Sequence, residues 1–179
     1  MQVTSRPTWD VYFMNIAVAV SSRATCDRKS VGAVVTSSDR HILATGYNGA
    51  ITGEEHCDDV GHLLENDSCQ RVVHSEANAI AQVARSSSTI AERNAAIYVT
   101  ASPCWPCFRL IAQAGIRRVV YGERFYRDFE RIQEVARRQL IELSFCDVRR
   151  TELYQLRLPI PQDGQDDIPY FDPEPDDSR

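Results

Sequence analysis

Apolar residues recur at helical spacing near the start of the chain. Trp9, Tyr12, Phe13, Ile16 and Val20 fall three and four apart, which predicts a helix over residues 8–22, capped by Thr8, with this stripe against the core. Val31 to Thr36 is a short apolar run bounded by turn residues and reads as a buried strand. Ser37 to Arg40 is a turn, and His41 to Gly46 reads as the returning strand, with His41 at the strand edge and not a ligand. From 46 to 73 the periodicity is lost, and a connection that long is usually functional or held by something. A helical stripe of Ala77, Ile80, Ala81 and Ala84 follows from His74 and stops at Ser86-Ser87-Ser88. Ala95 to Thr100 reads as a strand, followed by a helix to about Ala114 with Gly115 at its C-terminal cap. Arg118 to Tyr121 is a strand, Asp128 to Leu140 a helix, and Ile141 to Val148 a last extended segment with Cys146 as a small buried hydrophobe.

Strands that alternate with helices pair in parallel through right-handed crossovers, whereas the opening strand pair is antiparallel. The expected fold is α/β: a three-layer α/β/α domain with a mixed five-stranded sheet, over residues 1–158.

Composition adds the limits. A chain of 179 residues, 43% hydrophobic and 25% charged, suits one soluble domain with a real core. No apolar run is long enough to span a membrane, and the N-terminus lacks the apolar core of a signal peptide, so the expected location is cytoplasmic. Residues 159–179 hold seven acids and one base, a balance of −6, which leaves the rest of the chain near +1 against a total of −5. That segment, rich in Pro and Asp, reads as a poorly ordered acidic tail. No basic stripe is present, so a polynucleotide partner is not expected. Six cysteines in a cytosolic chain point to metal binding in preference to disulfides.

The chemistry concentrates in His74-Ser75-Glu76 and, after 26 intervening residues, Pro103-Cys104-Trp105-Pro106-Cys107. Zinc takes tetrahedral nitrogen and sulfur ligands, and a catalytic zinc keeps one position open for water. His74, Cys104 and Cys107 make three ligands. Glu76 is left over, as a general acid/base requires. Two residues apart on a regular helix, His74 and Glu76 would diverge, so His74 is expected at a helix boundary. Prolines 103 and 106 place the two thiols at a helix start, where thiolates are favoured. The alternative is a closed structural zinc beside a surface glutamate. The 46–73 segment contributes His56, Cys57, His62 and Cys69, ligand types that a second zinc could use to order it. Cys26, just before the first strand, would tie that metal to the sheet.

H-x-E followed by P-C-x-x-C is the signature of zinc-dependent base deaminases. The chain resembles the deoxycytidylate (dCMP) deaminases of the cytidine deaminase-like superfamily, bacterial and phage type, over roughly residues 8–150. The resemblance rests on Cys26-x-Arg28-x-x-Val31-Gly32-Ala33-Val34, Gly46-Tyr47-Asn48-Gly49, Val73-His74-Ser75-Glu76-Ala77-Asn78-Ala79-Ile80 and Val99-Thr100-x-x-Pro103-Cys104-x-x-Cys107. It implies hydrolysis of dCMP to dUMP and ammonia, supplying dUMP for thymidylate synthesis, with Glu76 carrying protons to N3 and to the leaving ammonia. It assigns a sugar contact to Asn48 and a nucleotide contact to Phe125 or Tyr126; Tyr126, Ser75 and Ser102 join the expected substrate contacts. Arg28 is the expected phosphate ligand, by its bidentate geometry, with an ordinary surface arginine as the alternative. Relatives often carry cysteine where His62 stands and alanine where Ser75 stands, so His62 is preferred over His56 as the fourth ligand of a structural zinc with Cys26, Cys57 and Cys69. A homohexamer controlled by dCTP and dTTP is the further implication. Two other readings stay open: a relative acting on tRNA adenosine, guanine or a riboflavin precursor, and a non-catalytic zinc or nucleotide-binding module.

Overall fold

A computed structural model describes residues 6–66, 68–86, 94–124 and 129–147. The expected tail from Pro159, Val148, Asp128, Phe125 and Tyr126, and the stop at Ser87-Ser88, lie outside the described residues.

The elements follow in the order α1 (Trp9–Ser21), β1 (Gly32–Thr36), β2 (Ile42–Tyr47), α2 (Cys57–Val60), β3 (Leu64–Glu65), β4 (Ser68–Cys69), α3 (Ser75–Arg85), β5 (Ala96–Val99), α4 (Trp105–Gln113), β6 (Arg118–Tyr121), α5 (Phe129–Arg138) and β7 (Glu142–Phe145). The main sheet has five strands in the order β2-β1-β5-β6-β7. β1 runs antiparallel to both β2 and β5, while β5–β6 and β6–β7 are parallel. The mixed sheet expected from the alternation of elements is therefore the one found.

Alternate residues of each strand face opposite layers, as the pleat requires. Val34, Ala96, Tyr98 and Val120 meet Phe13, Met14 and Ala17 of α1 on one face. Ala33, Val35, Ile97, Val99 and Val119 meet α3, α4 and α5 on the other, through Ala79, Val83, Phe108, Ile111, Ile132 and Ala136. These are the three layers.

Two helix faces differ from the periodicity. On α1 the buried residues are Phe13, Met14 and Ala17, whereas Trp9 and Tyr12 are 48% and 45% exposed. On α3 the buried residues are Ser75, Glu76, Ala79 and Val83, and Ala81 and Ala84 are exposed. The cause is close approach. A Cβ on Gly32 would lie 2.0 Å from the Ala17 carbonyl oxygen, and one on Gly46 would lie 2.4 Å from both Ser75 O and Ala79 N. Each helix sits down on a strand glycine and presents a small residue there.

The 46–73 connection is not structureless. It holds the single turn α2 and the β3–β4 hairpin. Its base is closed where Gly49 and Val73 pair, with N–H to O distances of 3.2 and 2.9 Å. The end of α4 carries Gly115 at φ +88°, with Gly115 N–H bonded to Ala112 and Ile116 N–H to Ile111, as the cap expectation required. Cys146 is half-buried, against the α1 layer.

Candidate active site

The sheet gathers four segments at one edge. Antiparallel pairing sets Ala33 opposite both Val99 and Gly46, so the start of β1, the end of β2 and the end of β5 coincide. β6, parallel to β5, ends there too, and Gly122 N–H bonds to Val99. α3 joins them because Gly46 admits it closely and Asn78 Nδ2 donates to Tyr47 O at 2.8 Å. Ligands commonly bind beyond strand ends of this kind.

His74 and Cys104 each occupy an N-cap, of α3 and α4, with extended backbone at φ −70°, ψ 153° and φ −74°, ψ 167°. Neither side chain caps its helix. Each is turned into the site. That resolves the spacing problem: His74 lies before the regular helix and Glu76 within it. Pro106 falls in the first turn of α4, where its missing N–H costs nothing.

His74 Nδ1 lies 3.5 Å from Cys104 Sγ and 3.4 Å from Cys107 Sγ. A tetrahedral centre with bonds of about 2.3 Å to sulfur and about 2.0 Å to nitrogen has an S···N edge of roughly 3.5 Å. The three donors are thus spaced to hold zinc. Hydrogen bonding from Cys107 holds the Cys104 thiol down to about 4, while the same bond pushes Cys107 up. A dication bound there would favour both sulfurs as thiolates. The hydrogen bond with Cys104 raises His74. Glu76 is 3% exposed and accepts a hydrogen bond from Ser75 Oγ at 3.1 Å. Burial raises its carboxyl, which suits a group that must take up and release a proton.

A cleft of about 370 Å³ opens over this centre. Arg28, Asn48, Ser75 and Ser102 all line it, beside His74 and Glu76. Asn48 uses its carboxamide on the backbone: Oδ1 accepts from Val31 N–H at 2.7 Å and Nδ2 donates to Lys29 O at 2.8 Å. It shapes the rim that carries Arg28. Lys29, Asn66, Ser68 and Val72 line the cleft without having been singled out in the sequence. Lys29 is in the same charged run as Arg28. Asn66 and Ser68 sit at the β3–β4 hairpin and carry no sequence signal. Tyr126 is not among the described residues.

A second cluster lies beside the first. Ligand atoms of Cys26, Cys57 and His62 fall within 4.8 Å of one another. Cys57 Sγ is 3.6 Å from Cys69 Sγ, against roughly 3.8 Å for an S···S edge around tetrahedral zinc. Burial, then its bond with Cys69, pushes the Cys57 thiol up to about 12. Burial opposes the Cys69 thiolate, but hydrogen bonds led by His62 outweigh it and hold Cys69 at about 7. His56 is engaged elsewhere, with Nδ1 3.0 Å from Thr25 Oγ1. Of the two histidines weighed for this cluster, His62 is the one brought to it.

A buried carboxylate beside a His/Cys/Cys donor set, on an α/β/α frame, defines a zinc hydrolase centre. The sequence profile of the cytidine and deoxycytidylate deaminase zinc-binding region matches residues 7–123, and the chain belongs to that family. It is 42% identical to ComE operon protein 2 of Bacillus subtilis (strain 168) over 151 residues, 84% of this chain and 75% of that one. It is 41% identical to the deoxycytidylate deaminase of Mycobacterium phage D29 over 128 residues, 65% of this chain and 96% of the relative. The dCMP deaminase of cyanophage S-TIM5, solved in complex with dCMP and dUMP, matches with a TM-score of 0.66 and 30% identity, over 79% of this chain and 98% of that one.

Proposed function

We propose that the protein is a zinc-dependent dCMP deaminase, hydrolysing dCMP to dUMP and ammonia and so supplying dUMP for thymidylate synthesis. The observation that carries this is Glu76: a buried carboxylate in the cleft beside the His74/Cys104/Cys107 donors, where a structural zinc would need no acid. The relatives named deoxycytidylate deaminase support the substrate.

His74, Cys104 and Cys107 hold the zinc, which when bound supplies Lewis acidity toward water. Glu76 does the proton work. It accepts a proton from water as the oxygen adds to C4 and passes it to N3 of cytosine. It then takes the remaining proton from that C4 hydroxyl and passes it to the amino group, which leaves as ammonia as the C4–N bond breaks. Its burial keeps bulk water from competing for those protons. Ser75 holds the carboxylate by its hydroxyl. Arg28, at the cleft rim, meets the 5′-phosphate, with Asn48, Ser102 and Tyr126 as sugar and base contacts. The deaminase domain spans 1–158, and 159–179 is an acidic tail.

Cys26, Cys57, His62 and Cys69 hold a second, structural zinc that pins the 46–73 connection to the sheet. Both thiol-rich sites require reduced cysteines, which supports a cytoplasmic location. Among the described residues no helix is long and apolar enough to cross a membrane. Assembly as a homohexamer and control by dCTP and dTTP complete the proposal. The exposed Trp9, Tyr12, Ile51, Leu63 and Leu64 offer apolar surface for such contacts.

Ammonia release from dCMP, CMP, dCTP, cytidine and guanine tests the substrate, with and without dCTP and dTTP and beside a mass measurement in solution. dCMP should be turned over fastest. Glu76→Gln should keep its zinc and lose about 100 to 10,000-fold or more in turnover. Preference for guanine, or a tenth of wild-type rate in Glu76→Gln, would refute the reading.

A further inference from the structure

His62 presents its two ring nitrogens to different partners. Nδ1 faces the sulfurs, 3.9 Å from Cys26 Sγ, and Nε2 lies 2.9 Å from Asp27 Oδ1. We propose that Asp27 is the positioning residue for His62, fixing the imidazole with Nδ1 turned into the cluster and so setting the metal affinity of the second site. This inference rests on the reading of Cys26, Cys57, His62 and Cys69 as a metal site.

A neutral imidazole has one N–H and one lone pair, and only the lone pair can bind a metal. A carboxylate that accepts the hydrogen of Nε2 leaves the lone pair on Nδ1. It also holds the ring plane and strengthens the donor. His62 needs that help, because it stands on the loop between α2 and β3, with no regular element to fix its side chain.

The chain holds Asp27 where this role requires. It follows Cys26 directly, so a ligand and the group that orients another ligand share one short segment. That segment is held at both ends: Thr25 N–H bonds to Asn48 O at 3.2 Å, and the Asn48 carboxamide grips Lys29 O and Val31 N–H. The Asp27 backbone therefore stays beside His62 unless the cleft rim moves. Cys26, Arg28 and Cys69 line that same cleft, so a loosened cluster reaches the substrate through the rim. A simple surface ion pair is the competing explanation, since Asp27 is 76% exposed. The two differ in one respect: a surface pair leaves metal affinity alone.

The experiment uses the full zinc-loaded chain and the variants Asp27→Asn, Asp27→Ala and Asp27→Glu. Zinc content is measured by elemental analysis, and zinc is then titrated away with a chelator of known affinity. The wild type should hold two zinc per chain. In Asp27→Ala one of them should bind about 10 to 100-fold more weakly, with the other unchanged. Asp27→Asn should fall between, because it keeps an acceptor without the charge, and Asp27→Glu should restore part of the loss. KM for dCMP should rise in Asp27→Ala while kcat stays close to wild type. Two zinc per chain with the same chelator curve in wild type and Asp27→Ala would overturn the role of Asp27 and leave the metal site standing. One zinc per wild-type chain, with Cys26, Cys57 and Cys69 all alkylatable, would overturn both.

Discussion

Gly46→Ala should damage stability and activity together. The added Cβ would sit 2.4 Å from Ser75 O and from Ala79 N, and 2.9 Å from Ala79 Cα. All three contacts are backbone of α3, so no side chain can turn aside. Relief to even 3.0 Å, below which real Cβ contacts essentially never occur, needs α3 to retreat by about 0.6 Å from its 2.4 Å contacts. Overpacking of a well-filled site costs about 1–3 kcal/mol. For a chain of this size that is about 2–12 °C in Tm. The moving part is the start of α3, which carries His74 and Glu76. A misplacement of about 1 Å can cost about 100-fold in rate, so about tenfold or more is expected here in kcat/KM. The assay is urea unfolding and dCMP turnover on wild type, Gly46→Ala and, as control, Gly53→Ala. Gly53 has open space around its Cβ position but φ +91°, so its substitution strains only local backbone and brings no Cβ within 4 Å of α3. Wild-type turnover in a folded Gly46→Ala would refute the claim that this glycine seats α3 in the active site.

Three further outcomes can be measured. Arg28→Ala should lower dCMP efficiency about 10 to 150-fold, from about 1.5–3 kcal/mol for a charge-assisted bond, and leave deoxycytidine little changed; equal losses on both would remove Arg28 from the phosphate. Leu140, in the turn two residues past α5, has φ +55° and is 85% exposed, so Leu140→Gly should relieve about 1–2 kcal/mol of backbone strain, partly offset by unfolded-state entropy, and raise Tm; a lower Tm would refute this. Arg118 bonds Asp10 at 2.6 and 2.9 Å and holds its carboxyl below the ordinary range. The unfolded chain therefore binds that proton more tightly, so the stabilisation is complete above pH ~4 and lost as pH falls through the lower folded value. Asp10→Asn should be less stable than wild type at pH 7, with the gap narrowing as pH falls below about 4; a constant gap in urea midpoints would refute the assignment.

What was legible in the sequence depended on how local each determinant is. His74 and Glu76 are two residues apart, and Cys104 and Cys107 three. Helix geometry alone then fixes what each pair can do, and both N-caps lie where the proline and spacing arguments put them. The second cluster was legible by residue type only. Its geometry depends on the path of the 46–73 connection, and the separation of His62 from His56 depends on Thr25, 31 residues before His56. Lys29, Asn66 and Ser68 entered the cleft by the same kind of long-range path. The misread helix faces have a more instructive cause. Periodicity favours large apolar residues as core, which promoted Trp9 and Tyr12 and overlooked Ala17. Ala17 is buried because α1 lies against Gly32, and Ala79 because α3 lies against Gly46. Where a helix crosses a strand glycine at such short range, only a small side chain fits, and the bulky residues turn to the flanks. Glycines inside β1 and β2, set in strands otherwise built of larger residues, were the readable sign that small helix residues would face them.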